Sequence, residues 1–146
     1  MSKNMLACLL TMALAGCAGT VPGPGVRDGR LAPCPDTPNC VNSQAAGRHA
    51  IPPIAYSGDR TQARDRLRRI LETEKRVALV AVEENYIRTT FTSLIFRFVD
   101  DVEFYFPDEP FIQVRSASRV GYSDLGANRR RIEHLRQRFA ASEKES

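Results

Sequence analysis

Between Arg76 and Ala117 the chain carries four runs of strand-forming residues, and an amphipathic helical stretch flanks them on either side. The runs are Arg76 to Glu84, Tyr86 to Ser93, Phe98 to Pro107 and Phe111 to Ala117, with connections short enough for an antiparallel meander. In the third run Val102, Phe104 and Phe106 alternate with Glu103 and Tyr105, which predicts one buried and one polar face. Pro107-Asp108-Glu109-Pro110 is a turn by its composition. Upstream, Asp59 is placed to cap a helix, and Ala63, Leu67, Ile70 and Leu71 recur at helical spacing through about Glu74. Downstream, a helix is expected from Ser123 or Asp124 to near Ala141, with Leu125, Ile132, Leu135 and Phe139 as its apolar stripe. Asn128 falls inside that stripe, so it must find hydrogen-bond partners and is expected to lock the helix start to a strand or loop. The expected fold class is α+β: a four-stranded antiparallel sheet packed against an N-terminal and a C-terminal amphipathic helix, preceded by a disulfide-closed loop.

The N-terminal residues describe a different fate. Lys3 supplies a short positive segment, and Met5 to Ala15 form an apolar stretch too short to cross a bilayer, which needs about 20 helical residues. Leu14-Ala15-Gly16-Cys17 follows, and it resembles the lipobox of bacterial lipoproteins. That resemblance implies cleavage before Cys17 and a diacylglyceryl group on its thiol. Ala18 then stands where inner-membrane retention typically uses Asp, so attachment to the outer membrane, facing the periplasm, is the expected localisation. Residues 1–16 are thus expected to be a signal peptide and residues 17–33, rich in Gly and Pro, a lipidated flexible tether. Residues 34–146 are expected to form a single globular domain.

Once Cys8 leaves with the signal and Cys17 is lipidated, Cys34 and Cys40 remain as a pair. An even pair in an exported chain reads as a disulfide, here closing a short loop stiffened by Pro35 and Pro38. A metal site using His49 would lack a fourth ligand at any usual spacing. The segment from His49 to Tyr56 contains Pro52-Pro53, which forbids helix and predicts an edge strand or a strap over the core.

Charge narrows the partners. The chain has 21 Lys plus Arg and 17 Asp plus Glu, a net +4; removing residues 1–16 takes away Lys3 alone and leaves +3. This surplus is too small to mark a nucleic-acid binder, and no aromatic platform accompanies the basic residues. No glycine-rich loop suits a nucleotide, so no cofactor is expected. Asp100, Asp101 and Glu103 fit no calcium-loop spacing and read as a solvated strand edge, so no metal is expected either.

The most distinctive local chemistry is the passage from the fourth strand into the last helix. Arg115, Ser118, Arg119, Ser123, Asn128 and Arg129 gather hydroxyls and guanidinium groups beside a helix N-terminus, where a carboxylate or phosphate would be welcome. The competing reading makes Ser123 or Asp124 a helix cap, Gly121 a turn residue and the arginines partners of the acidic sheet region. A nucleophile, base and orienting group cannot be assembled from the two histidines and many serines by spacing alone. A non-catalytic envelope module that binds an anionic ligand or an envelope protein is therefore expected ahead of a small hydrolase or transferase with its site at residues 115–129.

Three motifs resemble the bacterial family catalogued as domain of unknown function 1499. They are Pro38-Asn39-Cys40-Val41 with Ser43, Phe98 to Phe104, and the long run Arg115 to Arg129. Thr37 and Asn42 stand where members of that family often carry serine. The resemblance covers about residues 34–139; it implies an exported or membrane-linked domain with no established activity.

Overall fold

The computed structural model describes residues 23–144, so the expected signal peptide and Cys17 lie outside the described residues. In chain order the elements are β1 (Val26–Arg27), β2 (Arg30–Leu31), β3 (Cys40–Asn42), a 3-10 turn (Gly47–His49), β4 (Ile54–Ala55) and α1 (Arg60–Thr73). There follow β5 (Val77–Val82), β6 (Tyr86–Thr92), β7 (Val99–Tyr105), β8 (Phe111–Ser118) and α2 (Ala127–Lys144). The four expected strands are β5 to β8, and they form the meander. The sheet is larger than expected, however, with six strands in place of four.

The two extra strands follow from the length of β8. Its free edge pairs antiparallel with β3 over residues 115–117 and with β4 at residues 111 and 112, so two short strands share one long neighbour end to end. β4 lies just past Pro52-Pro53, in the segment expected as an edge strand or strap. The Cys34–Cys40 disulfide, with its Cα atoms 5.6 Å apart, ties the approach of the chain to the start of β3.

Both helices cover one face of the sheet. Asp59 caps α1 by accepting from the Gln62 amide at 3.0 Å, as its spacing predicts. Ala63, Leu67, Ile70 and Leu71 of α1 and Ile132, Leu135 and Phe139 of α2 bury against Ile87, Val102, Phe104, Phe106, Ile112 and Val114. Leu125 does not join them. It precedes α2 in the left-handed region at φ 52° and is 84% exposed, because Asp124 rather than Leu125 organises the helix start.

The opposite face of the sheet is covered too. Residues 23–33, expected within the flexible tether, instead hold the β1–β2 hairpin. Asp28 and Gly29 both have positive φ, 52° and 70°, which is the two-residue turn that an Asp-Gly pair favours. Leu31 and Ala32 are buried, the Asn42 amide donates to the Ala32 carbonyl at 3.0 Å, and the Gly25 N–H donates to Glu103 at 2.7 Å. The molecule therefore has three layers: helices, sheet and hairpin. Among the described residues no helix is long and apolar enough to cross a membrane.

Candidate functional site

Strand alternation decides where the junction residues go. Ser116 and Ser118 of β8 pair with Val102 and Asp100 on the helix side, whereas Arg115 pairs with Glu103 on the hairpin side. On the helix side Asn128 is fully buried and makes the lock that its position in the stripe requires. Its amide donates to the Asn39 carbonyl at 2.9 Å, to the Ser118 hydroxyl at 3.0 Å and to Asp124 at 2.7 Å. Its carbonyl accepts from Ser116 at 2.5 Å and from Arg131 at 2.7 Å. Asp124 accepts from the amides of Gly126 and Asn128, so a carboxylate of the chain itself occupies the anion position at the start of α2. Those bonds outweigh the effect of burial and hold the Asp124 carboxyl below its usual range. Arg131 continues the network by pairing with Asp100 and lying over the Phe91 ring at 4.8 Å.

On the hairpin side the acids of β7 are buried, in contrast to the solvated edge expected for them. β7 is an inner strand, and the hairpin shields its second face. Glu103 is fully buried and accepts from Arg115 at 2.9 Å and from the Tyr86 hydroxyl at 2.8 Å, besides Gly25. Burial, reinforced by the Glu103 charge, pushes the Tyr86 hydroxyl far above its usual range, so it remains a donor. Asp101 sits between Arg88 at 2.9 Å and Arg119 at 2.7 Å. Burial alone would raise its pKa, but the hydrogen bonds from Arg119 and Arg88 win and hold it below its ordinary value of 3.8. The Nε of Arg115 is buried and has no partner.

The six candidate residues thus do not converge on one concavity. Arg115 and Arg119 face the hairpin side, Ser118 and Asn128 the helix side. The Ser123 hydroxyl accepts from the Leu125 amide on an exposed loop, and Arg129 donates to the carbonyls of Arg48 and Ala50. Gly121, in the connecting loop at φ 87°, supplies a backbone shape that a side chain would strain. A recess beside Arg129 and Asp124 measures about 80 Å³, room for a few waters. A larger groove of about 380 Å³ runs between the hairpin and β3, lined by Arg27, Leu31, Ala32, Asn42, Gln44 and His49 among others. Among the described residues no group of three His, Cys, Asp or Glu is arranged to hold a metal ion.

The lowered carboxyls make stability depend on pH in a defined direction. A group whose pKa is lower in the folded chain stabilises it above the unfolded value, and that contribution is lost as pH falls through the folded value. Asp101 and Asp124, with ordinary values of 3.8, and Glu74, with one of 4.5, all shift downward. The melting temperature should therefore hold from neutrality to about pH 5 and fall steeply below about pH 4. Asp101→Asn should lower stability at pH 7 and shallow the acid decline, as scanning calorimetry from pH 7 to 3 would record. An unchanged acid slope in that variant would remove Asp101 from the account.

Away from these networks, the β6–β7 turn exposes Leu94, Ile95, Phe96 and Phe98, and the loop after β8 brings Val120, Tyr122 and Leu125 to the same end of the sheet. The signal was present in the sequence as an apolar run, Ser93-Leu94-Ile95-Phe96-Arg97-Phe98, where a polar turn would be ordinary. Compared with known protein families, residues 30–139 fit the model of the family described as Protein of unknown function (DUF1499). No curated protein and no solved structure matches the chain. The family model spans both strands of the sheet edge, the meander and most of α2, and the chain belongs to the DUF1499 family.

Proposed function

We propose that this chain is an exported, lipid-anchored protein of the bacterial cell envelope, and that its folded part is a non-catalytic binding or structural module. The observation that carries the second half is how the chemically active side chains of the junction are used. Arg115 with Glu103, Arg119 with Asp101, and Arg131 with Asp100 form ion pairs between neighbouring elements, and Asn128 joins strand, loop and helix. Groups that would bind or transform a substrate instead hold the layers in register. The first half is supported by Leu14-Ala15-Gly16-Cys17 and by the Cys34–Cys40 disulfide, which suits an oxidising compartment. Ala18 after the modified cysteine favours the outer membrane, with the domain in the periplasm.

The anchor is tested by Cys17→Ser. Incorporation of radioactive palmitate should be abolished, and the parent protein should band with outer-membrane markers on a density gradient. Continued labelling of the variant would sink the anchor.

A further inference from the structure

We infer that the apolar end of the sheet is a membrane-docking surface that seats the domain directly on the bilayer to which Cys17 anchors it. This deepens the proposed function and rests on its lipid anchor. The turn between β6 and β7 presents Leu94, Ile95 and Phe96 at 67%, 78% and 72% exposure, with Phe98 at 52% and stacked on Phe96 at 5.5 Å between ring centroids. Single exposed apolar side chains are ordinary, but a contiguous cluster marks an interaction surface. Lys75, Arg76 and Arg97 stand at the same end of the sheet, and residues 92–98 contain no acid. Aromatic and aliphatic tips flanked by cations suit the boundary between lipid headgroups and acyl chains.

The length of chain before Gly23, and where it ends, select the membrane as occupant. The hairpin turn at Gly29 lies beside the Tyr105 hydroxyl, while Gly25 bonds Glu103, two residues nearer the apolar end of β7. β1 therefore emerges toward the apolar end, and Gly25 is held at the level of Glu103. From Cys17 to Gly25 the fully extended chain spans at most about 29 Å. From the level of Glu103 to Phe96, along seven residues of strand and turn, is about 23 Å. A lipid on Cys17 thus holds the protein on a leash barely longer than the distance to the tip, and it pulls from the side on which the tip projects.

The chain contains no Trp, so Phe96→Trp places a single fluorescent reporter at the tip, and Asn85→Trp, in a separate variant, places a control at the opposite end of the sheet. Full-length protein, processed by its host, is purified and reconstituted into vesicles of phosphatidylethanolamine and phosphatidylglycerol, with and without brominated acyl chains. The tip indole of Phe96→Trp should shift its emission to the blue and lose at least half its intensity to the brominated lipid. The control indole of Asn85→Trp should behave as in water. Mass spectrometry of the same samples reads the acyl group independently. An acylated, vesicle-bound protein whose tip indole is unquenched overturns the docking and leaves the anchor standing. Quenching without an acyl group supports the docking and overturns the anchor, and absence of both overturns both. If the tip indole in isolated envelopes is shielded from acrylamide while brominated lipid leaves it bright, the tip binds a protein and the membrane proposal is overturned.

Discussion

Glu103→Ala is expected to lower the melting temperature by roughly 12 to 20 °C, corresponding to a loss of about 3 to 5 kcal/mol in a domain of this size. The reason is what the substitution strands. Arg115 is buried beneath the hairpin, and Glu103 is its paired carboxylate, at 2.9 Å. Removing that carboxylate leaves an uncompensated guanidinium in a dry layer, and the Nε of Arg115 already lacks a partner. The Tyr86 hydroxyl and the Gly25 amide lose their acceptor at the same time. Glu103→Gln keeps the shape and an acceptor oxygen but not the charge, so its loss should be smaller. Glu103→Met combined with Arg115→Met should be less destabilising than Glu103→Ala alone, because no buried charge remains. Hydrogen exchange at Gly25 and Leu31 should accelerate in Glu103→Ala, since this contact holds the hairpin to the sheet. A melting temperature within about 4 °C of the parent would show that the pair carries no such weight.

The same pair explains why part of the fold was legible in the sequence and part was not. The meander and α1 follow from local signals: alternation in β7, helical spacing from Ala63 to Leu71, and a capping Asp59. Their ends fall within a residue or two of expectation. The sheet's extra strands do not announce themselves, because β3 has three residues and β4 two, and both exist by virtue of the free edge of β8. The burial of Asp100, Asp101 and Glu103 was hidden for a related reason. Their partners Arg131, Arg119 and Arg115 lie 31, 18 and 12 residues downstream; Arg131 reaches Asp100 from α2 on the helix side, and for Asp101 and Glu103 nothing in the spacing shows a second layer over the polar face. That layer did leave a trace. Val26, Asp28-Gly29 and Leu31 make a hairpin signal, but the surrounding Gly and Pro composition pointed to a tether.

Strand parity also bears on the candidate site. Arg115 and Ser118 are an odd number of residues apart on one strand, so their side chains must face opposite sides, and a single pocket containing both was excluded from the start. Asn128, by contrast, was placed correctly by its position in the stripe, because an amide among Ile132, Leu135 and Phe139 has to be satisfied.

That necessity makes Asn128→Leu a sharp test, since two physical arguments predict opposite signs. Judged by periodicity, leucine completes the apolar stripe of α2 and should stabilise the domain by burying more hydrocarbon. Judged by hydrogen bonds, it should destabilise. The Ser116 hydroxyl donates to the Asn128 carbonyl at 2.5 Å, and the Arg131 guanidinium donates to the same oxygen at 2.7 Å. Ser116 has no exposed surface through which water might replace the lost acceptor. The Asn39 carbonyl keeps the Ser118 amide at 3.0 Å, and Asp124 keeps the amide of residue 128, so the loss falls mainly on Ser116 and on the fit of a branched side chain. A buried O–H left without an acceptor, although its oxygen still accepts from Arg131 at 2.9 Å, and overpacking cost about 1 to 3 kcal/mol each, whereas the gain from the leucine is at most about 3 kcal/mol because the buried site was already filled. The second argument should prevail, with a net loss of about 2 kcal/mol and a melting temperature lower by roughly 8 °C. Adding Ser116→Ala removes the stranded O–H but also the oxygen that accepts from Arg131 at 2.9 Å, leaving Arg131 its Asp100 partner, so the double variant should lose clearly less than the sum of the two single losses. Such non-additivity is the mark of two directly coupled groups. If Asn128→Leu matches or exceeds the parent in stability, the amide is not what fastens α2 to β8, and the junction is held by packing alone.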